Sequence, residues 1–418
     1  MKNIIFILFW ICCAAGVNCR GVVDSNKADK ALVADSNDVR AAVGGNADFA
    51  FALYGKLRND PSATKPRGNL FFSPYSISTA LAMTYGGARG ETEKQMATAL
   101  HFTLPGKRLH SAFGTLQKQL VQDEKSRGYQ LLVANALWGQ KDETFLKEFL
   151  DLTKDYYGAG LTQLDFINET EKSRQIINSW IEEKTKEKIE DLIPHGGVGP
   201  DTMLVLTNAI YFKGDWRTKF EKKDTAPADF AVSNKDKVKI DLMYIKERFR
   251  YYADEKMQVI ELPYKGDELS MLVLLPKETE GVKEMENTLT AESIDALSAK
   301  MRTVEVNVYF PKFKMTCGTF SLNNALVALG MPDAFGGRAD FSGMNGAGGL
   351  CISDVFHKAF IEVNEEGTEA AAATAVVMRT TAIELPVVFR ADHPFVFIIK
   401  DNRSGSILFM GRVMNPAE

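Results

Sequence analysis

The chain has 418 residues, 45% of them hydrophobic and 25% charged, and a formal net charge of −4. Such a composition supports a sizeable core and excludes a charge-dominated disordered chain, while the small net charge excludes a general pull toward nucleic acid or anionic lipid. Three of the five cysteines, Cys12, Cys13 and Cys19, sit near the amino terminus. Cys317 and Cys351 are too few for a disulfide framework and read as two separate thiols.

Met1-Lys2-Asn3 is a short basic start to the apolar run Ile4 to Val17, which closes on the small residues Ala14-Ala15-Gly16. The run is too short to span a bilayer and predicts a signal peptide over 1–19, hence a secreted, extracellular protein. A lipid-anchored or periplasmic protein, with one of the leader cysteines lipidated, is the alternative. Residues 20–45 are small and polar and end at Gly44-Gly45, so they read as a flexible tail. Order is expected from Asn46 onward.

Asn46, Ala47 and Asp48 offer capping groups before a helix with Phe49, Phe51, Ala52 and Leu53 on its apolar face, closed by Pro61 and Pro66. Asn69 to Pro74 is a short strand, and Tyr75 to Tyr85 an apolar helix ending at Gly86-Gly87. Amphipathic spacing predicts helices over Arg108 to Gln122, Glu143 to Tyr156 and Ser173 to Leu192. Aliphatic, β-branched and aromatic runs predict strands at Tyr129 to Trp138, Met203 to Phe212, Val238 to Met243, Met257 to Leu262, Ser270 to Leu275 and Val304 to Pro311. The carboxy-terminal part adds Ala359 to Val363, Val387 to Phe389, Pro394 to Lys400 and Ser406 to Val413. With no repeat and no interdomain linker, the body 46–418 is one mixed α+β domain. Asn168-Glu169-Thr170 and Asn402-Arg403-Ser404 are glycosylation sequons.

Catalytic motifs do not emerge. The chain lacks a nucleophile elbow, a zinc-protease helix motif, a paired C-x-x-C and a phosphate loop, and His101, His110, His195, His357 and His393 have no metal-ligand spacing. Gly346-Ala347-Gly348-Gly349 reads as a loop. No cofactor or metal is expected.

The stretch from Glu365 to Pro386 is unusual: Glu365, Glu366, Gly367, Thr368 and Glu369 lead into Ala370, Ala371, Ala372, Ala373, Thr374 and Ala375. Alanine content alone favours a helix. Counted by twos, Thr368, Ala370, Ala372, Thr374, Val376 and Met378 share one uncharged parity, while Glu369 and Arg379 fall on the other, as in a strand with one face to bury. Small side chains leading that face would enter a packed sheet without overpacking. A segment that tolerates both states suits a switch.

Asn364 to Ala375 resembles the hinge of an inhibitory serpin's reactive loop. Asn69 to Ser78, Thr207 to Trp216, His357-Lys358-Ala359, Asp392 to Phe397 and Phe409 to Pro416 resemble serpin signatures in the same order, so the resemblance runs from about Asn46 to the end. Hinge and tail are most similar to the ovalbumin and leukocyte-elastase-inhibitor branch, in which a cleavable signal is not typical. The resemblance implies the serpin fold, one domain with about eight to nine helices, three β-sheets and an exposed reactive loop over about 365–386. It implies no catalysis, but irreversible inhibition of a serine endopeptidase by acyl-enzyme trapping and loop insertion. Counting fourteen positions on from Gly367 puts the scissile bond at Thr381-Ala382, which suits an elastase-like or subtilisin-like enzyme. A trypsin-like enzyme cutting after Arg379 is the alternative. Ser73, Ser76, Asn208 and His357 match the cluster beneath the parting strands, and Trp216 matches the point of first insertion. Lys107, Arg108, Lys118, Lys125 and Arg127 are diluted by Asp123 and Glu124, so no polyanion cofactor is expected. A monomer is expected; a non-inhibitory carrier, chaperone or storage serpin is the competing reading.

Overall fold

The computed structural model describes residues 34–64, 68–121, 128–366 and 386–417. Helix α1 (Ser36–Leu57) begins where Asp35 accepts the Asn37 N–H, and it buries Val39, Ala42, Val43, Phe49, Ala50 and Leu53 at helical spacing. Residues 36–45 were expected in a flexible tail and are helix instead. The glycine pair that suggested a linker marks a close approach: a Cβ on Gly45 would stand 2.3 Å from the His101 carbonyl oxygen. Arg108 then pins the helix start through Asp38 at 2.6 Å.

Strand β1 (Leu70–Phe72) leads into helix α2 (Pro74–Tyr85), all of whose residues are buried. Pro74 fits the first turn and the Ser73 hydroxyl accepts the Ser76 N–H at 3.1 Å. Helices α3 (Gly90–Ala99) and α4 (Gly106–Val121) follow, then β2 (Tyr129–Gln140), α5 (Lys147–Tyr157), β3 (Leu161–Leu164), α6 (Thr170–Lys184) and β4 (Leu204–Gly214). A run of strands comes next: β5 (Ala226–Ala231), β6 (Lys237–Ala253), β7 (Met257–Pro263) and β8 (Leu269–Pro276). After α7 (Val282–Glu286) and α8 (Ala291–Lys300) come β9 (Arg302–Pro311), β10 (Phe313–Ser321), α9 (Asn323–Ala328), α10 (Ser342–Asn345) and β11 (Asp354–Val363). The chain ends with β12 (Val387–Arg390), β13 (Phe395–Asp401) and β14 (Ile407–Val413).

Among the described residues the strands form two hydrogen-bonded sheets, not three. The larger has nine strands in the order β1-β14-β13-β8-β7-β6-β9-β12, with β5 beside β6, and the smaller has the order β10-β11-β4-β2-β3. The count falls because β6, 17 residues long, pairs with β5 over 237–242, with β9 over 242–251 and with β7 over 250–253, joining what would be separate sheets.

Strands β4 and β11 of the five-stranded sheet are largely buried on both faces. Leu204, Leu206, Ile210 and Phe212 of β4 face the main core with Val355, Ala359 and Ile361 of β11, while Val205, Ala209, Phe356 and Phe360 face Ile177 and Ile181 of α6. Helix α6 was expected to run to Leu192 but stops at Lys184. Lys186 and Glu187 take left-handed backbone angles, φ 52° and 60°, and the Thr185 hydroxyl accepts the Ile189 N–H at 3.2 Å, turning the chain back over the sheet.

Candidate functional site: the seam between β4 and β11

Strands β4 and β11 lie side by side and parallel from Asp354↔Val205 to Ile361↔Phe212. Parallel neighbours cannot be joined by a tight hairpin, and their slanted hydrogen bonds make the pairing slightly weaker than an antiparallel one. Both strands end at the same edge, where β11 turns through Asn364 to Glu366. A chain folding back from that turn would meet both seam strands antiparallel.

Beneath the seam lies a buried polar cluster. His357 of β11 and Asn208 of β4 are cross-strand partners, both fully buried. The His357 Nδ1–H donates to Asn208 Oδ1 at 2.5 Å, and its Nε2 accepts the Ser73 N–H at 3.3 Å. Desolvation pushes the ring's pKa down to about 3, against a smaller upward pull from Asn208, so the imidazole is neutral at ordinary pH. The Asn208 amide donates to the Ser76 hydroxyl at 2.5 Å and to Asn135 Oδ1, and the Ser73 hydroxyl donates to the Leu408 carbonyl at 2.6 Å. Together these bonds fasten β2, β4 and β11 to the start of α2 and to β14. They satisfy polar groups that would otherwise be costly to bury, by about 1–3 kcal/mol each.

The far end of the seam is tied as well. The Trp216 indole N–H donates to the Asn364 carbonyl at 3.0 Å, its backbone N–H reaches the Glu366 carbonyl at 3.3 Å, and its ring stacks on Tyr264 at 4.6 Å. The Phe220 N–H donates to the Glu365 carbonyl at 3.0 Å. The buried Glu365 carboxylate accepts from the Thr225 hydroxyl at 3.0 Å and pairs with Lys312 at 3.2 Å, and Glu366 pairs with Lys222 at 2.7 Å. Burial pushes the Glu365 pKa upward, but hydrogen bonds from its own backbone, Lys312 and Thr225 outweigh it and hold the carboxyl below its ordinary value. On the α6 side, Lys358 of β11 donates to the Glu190 carbonyl at 2.6 Å, fastening the turn after α6 to the seam.

The structure thus brings Ser73, Ser76, Asn208 and His357 into one network, with Trp216 and Glu365 at the turn. Gly367, Thr368, Glu369, Ala370 to Ala373, Thr374, Arg379, Thr381 and Ala382 lie outside the described residues, as does the leader Met1–Cys19. Among the described residues Cys351 has no disulfide partner; the side chain of Cys317 is outside the description. Sequence reasoning missed Asn135 and the anchors Thr225, Lys222 and Lys312. The one available signal was a lone Asn in the apolar run of β2, which pairing then places opposite Asn208.

The sequence signature of the family described as Serpin (serine protease inhibitor) matches residues 44–416. Leukocyte elastase inhibitor of Sus scrofa is 44% identical over 379 residues, covering 89% of this chain and 98% of that protein. The Homo sapiens protein of the same name is 43% identical over 380 residues, covering 89% of this chain and 98% of its own. The solved structure of uncleaved ovalbumin superposes with a TM-score of 0.82 at 31% identity, covering 90% of this chain and all of that one. One expectation is corrected here. The likeness to leukocyte elastase inhibitors points away from the secreted, extracellular placement read from Met1–Cys19, and from its periplasmic or lipid-anchored alternative. By the extent of the family match and of these alignments, the chain belongs to the serpin family of serine protease inhibitors.

Proposed function

We propose that this serpin is an irreversible inhibitor of serine endopeptidases, capturing its target as an acyl-enzyme and inserting the severed loop into the seam. The target's serine Oγ attacks the Thr381 carbonyl carbon. The Thr381–Ala382 C–N bond breaks, the Ala382 amine leaves with a proton, and an ester joins Thr381 to the protease. The arm from Gly367 onward then enters between β4 and β11 with Thr368, Ala370, Ala372 and Thr374 on one face. The observation that carries this reading is the parallel pair β4 and β11, which ends at the turn where the loop departs. An elastase-like or subtilisin-like target fits Thr381, and a trypsin-like one would cut after Arg379.

Incubation with elastase, subtilisin, chymotrypsin and trypsin, followed by denaturing gel electrophoresis and mass spectrometry, tests the proposal. An adduct stable to denaturation and a released fragment beginning at Ala382 are expected; the absence of an adduct with every protease sinks the reading. Thr368→Arg should turn inhibitor into substrate, since the arm would have to bury a guanidinium. Unchanged trapping by that variant would show that the assigned face does not insert.

A further inference from the structure

We propose that His393 is a pH-sensitive latch: as an imidazolium it moors the end of β12 to the end of β8, and loss of its proton loosens β12. The strand is poorly held otherwise. It is four residues long, stands at the edge of its sheet, and among the described residues its one ladder partner is β9, in parallel. Past it the chain runs through Ala391 and Asp392 to His393, and Pro394 leads into β13.

The largely buried His393 ring lies between two acceptors. Its Nδ1 is 3.0 Å from Asp392 Oδ1 and its Nε2 is 2.6 Å from the Pro276 carbonyl oxygen at the end of β8. A carbonyl cannot donate. Nor can Asp392: burial pushes its carboxyl up, but hydrogen bonds from His393 and Arg390 outweigh that and hold it ionised, below its ordinary value. Both ring nitrogens must therefore carry hydrogen, which a neutral imidazole cannot supply. The same contacts act on the ring: burial pulls its pKa down, yet the bonds to Asp392 and Pro276 and the charges of Asp392 and Glu278 hold it above its ordinary value. Arg390 donates to the other Asp392 oxygen at 2.9 Å and so carries the chain of bonds into β12. Across the cavity beside the ring stand Lys237 and the pair Asp229 and Lys239, 2.6 Å apart. A closed latch thus binds the proton more tightly than an open one. It is fully engaged below the ordinary histidine pKa of about 6.5 and weakens as pH rises through the ring's own, higher value. His357 and His110, with pKa values lowered to about 3 and about 4, are silent in that window.

Two measurements on the full-length protein between about pH 6 and pH 9 test the latch. The His393 NMR resonance, assigned by its loss in His393→Gln, should titrate with a midpoint above about 6.5. Hydrogen exchange over residues 387–391, corrected for the intrinsic pH dependence of amide exchange, should quicken across the same range and then level off. The total rise should be about tenfold for each unit by which the midpoint exceeds about 6.5. In His393→Gln the corrected exchange should be flat, and in Asp392→Asn the midpoint and the exchange transition should move to lower pH together. A midpoint at or below about 6.5, corrected exchange that ignores pH, or a rise that survives His393→Gln would each overturn the proposal. Should neither variant fold, the exchange curve of the unmodified protein decides alone, a flat one sinking the latch. Neither readout uses a protease, so failure of the inhibitory reading would leave this proposal standing, and the reverse.

Discussion

His357 can keep both its hydrogen bonds only as a neutral ring with hydrogen on Nδ1, because Nε2 faces a backbone N–H that also needs an acceptor. Protonation would set two donors against each other in a site without water-like screening. Its folded pKa of about 3 lies well below the unfolded value of about 6.5. The unfolded chain therefore binds the proton first, and stability present above about pH 6.5 is lost as pH falls toward 3, by up to about 1.4 kcal/mol per unit. His110, buried with its Nδ1 against the Tyr157 hydroxyl and its pKa lowered by burial to about 4, adds to the same slope. His357→Gln, which can both donate to Asn208 and accept from Ser73, should flatten urea midpoints measured between about pH 6.5 and pH 4.5, leaving the His110 share. An unchanged slope would mean that His357 titrates normally. Glu365 works in another window. Its depressed pKa gives a contribution that is complete above the unfolded value of about 4.3 and disappears only below it. Glu365→Lys would leave Lys312 beside a second ammonium and should lower the melting temperature by about 5 °C even at neutral pH. A calorimetric scan of the variant checks this.

At the scale of elements, the seam must part for the proposed mechanism. Ala209 and Lys358 are directly paired across it. Adjacent strands lie about 4.8 Å apart, within the Cα separations that a disulfide spans. Ala209→Cys with Lys358→Cys should therefore staple β4 to β11 when oxidised. The stapled protein should be cleaved without forming adducts, and reduction should restore trapping; trapping by the oxidised form would show that insertion does not pass through this seam. Strong strands were legible in the sequence because apolar and β-branched runs such as those of β2, β4, β8 and β13 leave no alternative once buried on two faces. What escaped is instructive. Helix α3, GETEKQMATA, has a weak apolar stripe, and β5, APADFA, is alanine-rich and carries a proline suited to an edge. Strand β10 contains Gly318 and has a register shift between Cys317 and Phe320. The cluster residues Ser73, Ser76, Asn208 and His357 were found only through resemblance, since each alone is an ordinary polar side chain. Asn135 could not be found without the register that sets it against Asn208.

For the whole molecule, loop insertion would replace one parallel ladder by two antiparallel ones and bury a further strand. In the native protein the Ser78 and Ser406 hydroxyls are fully buried with no hydrogen-bond partner among the described residues, an arrangement that costs about 1–3 kcal/mol for each group left unpaired. Protein nicked in the loop should melt at least about 10 °C higher than intact protein, at about 2–4 °C for each kcal/mol gained. Calorimetry before and after limited subtilisin digestion reads the shift, and equal melting temperatures would remove the driving force from the mechanism.

The nine-stranded sheet has its own history in biosynthesis. β13 lies between β8 and β14, and β14 alone supplies the partner of β1. The part of that sheet beside β1 therefore waits for residues 395–413, and a nascent chain cannot close it before they have been translated. Stalled chains ending before Ile407 are expected to stay open to digestion, and nascent-chain proteolysis would detect any that had closed early.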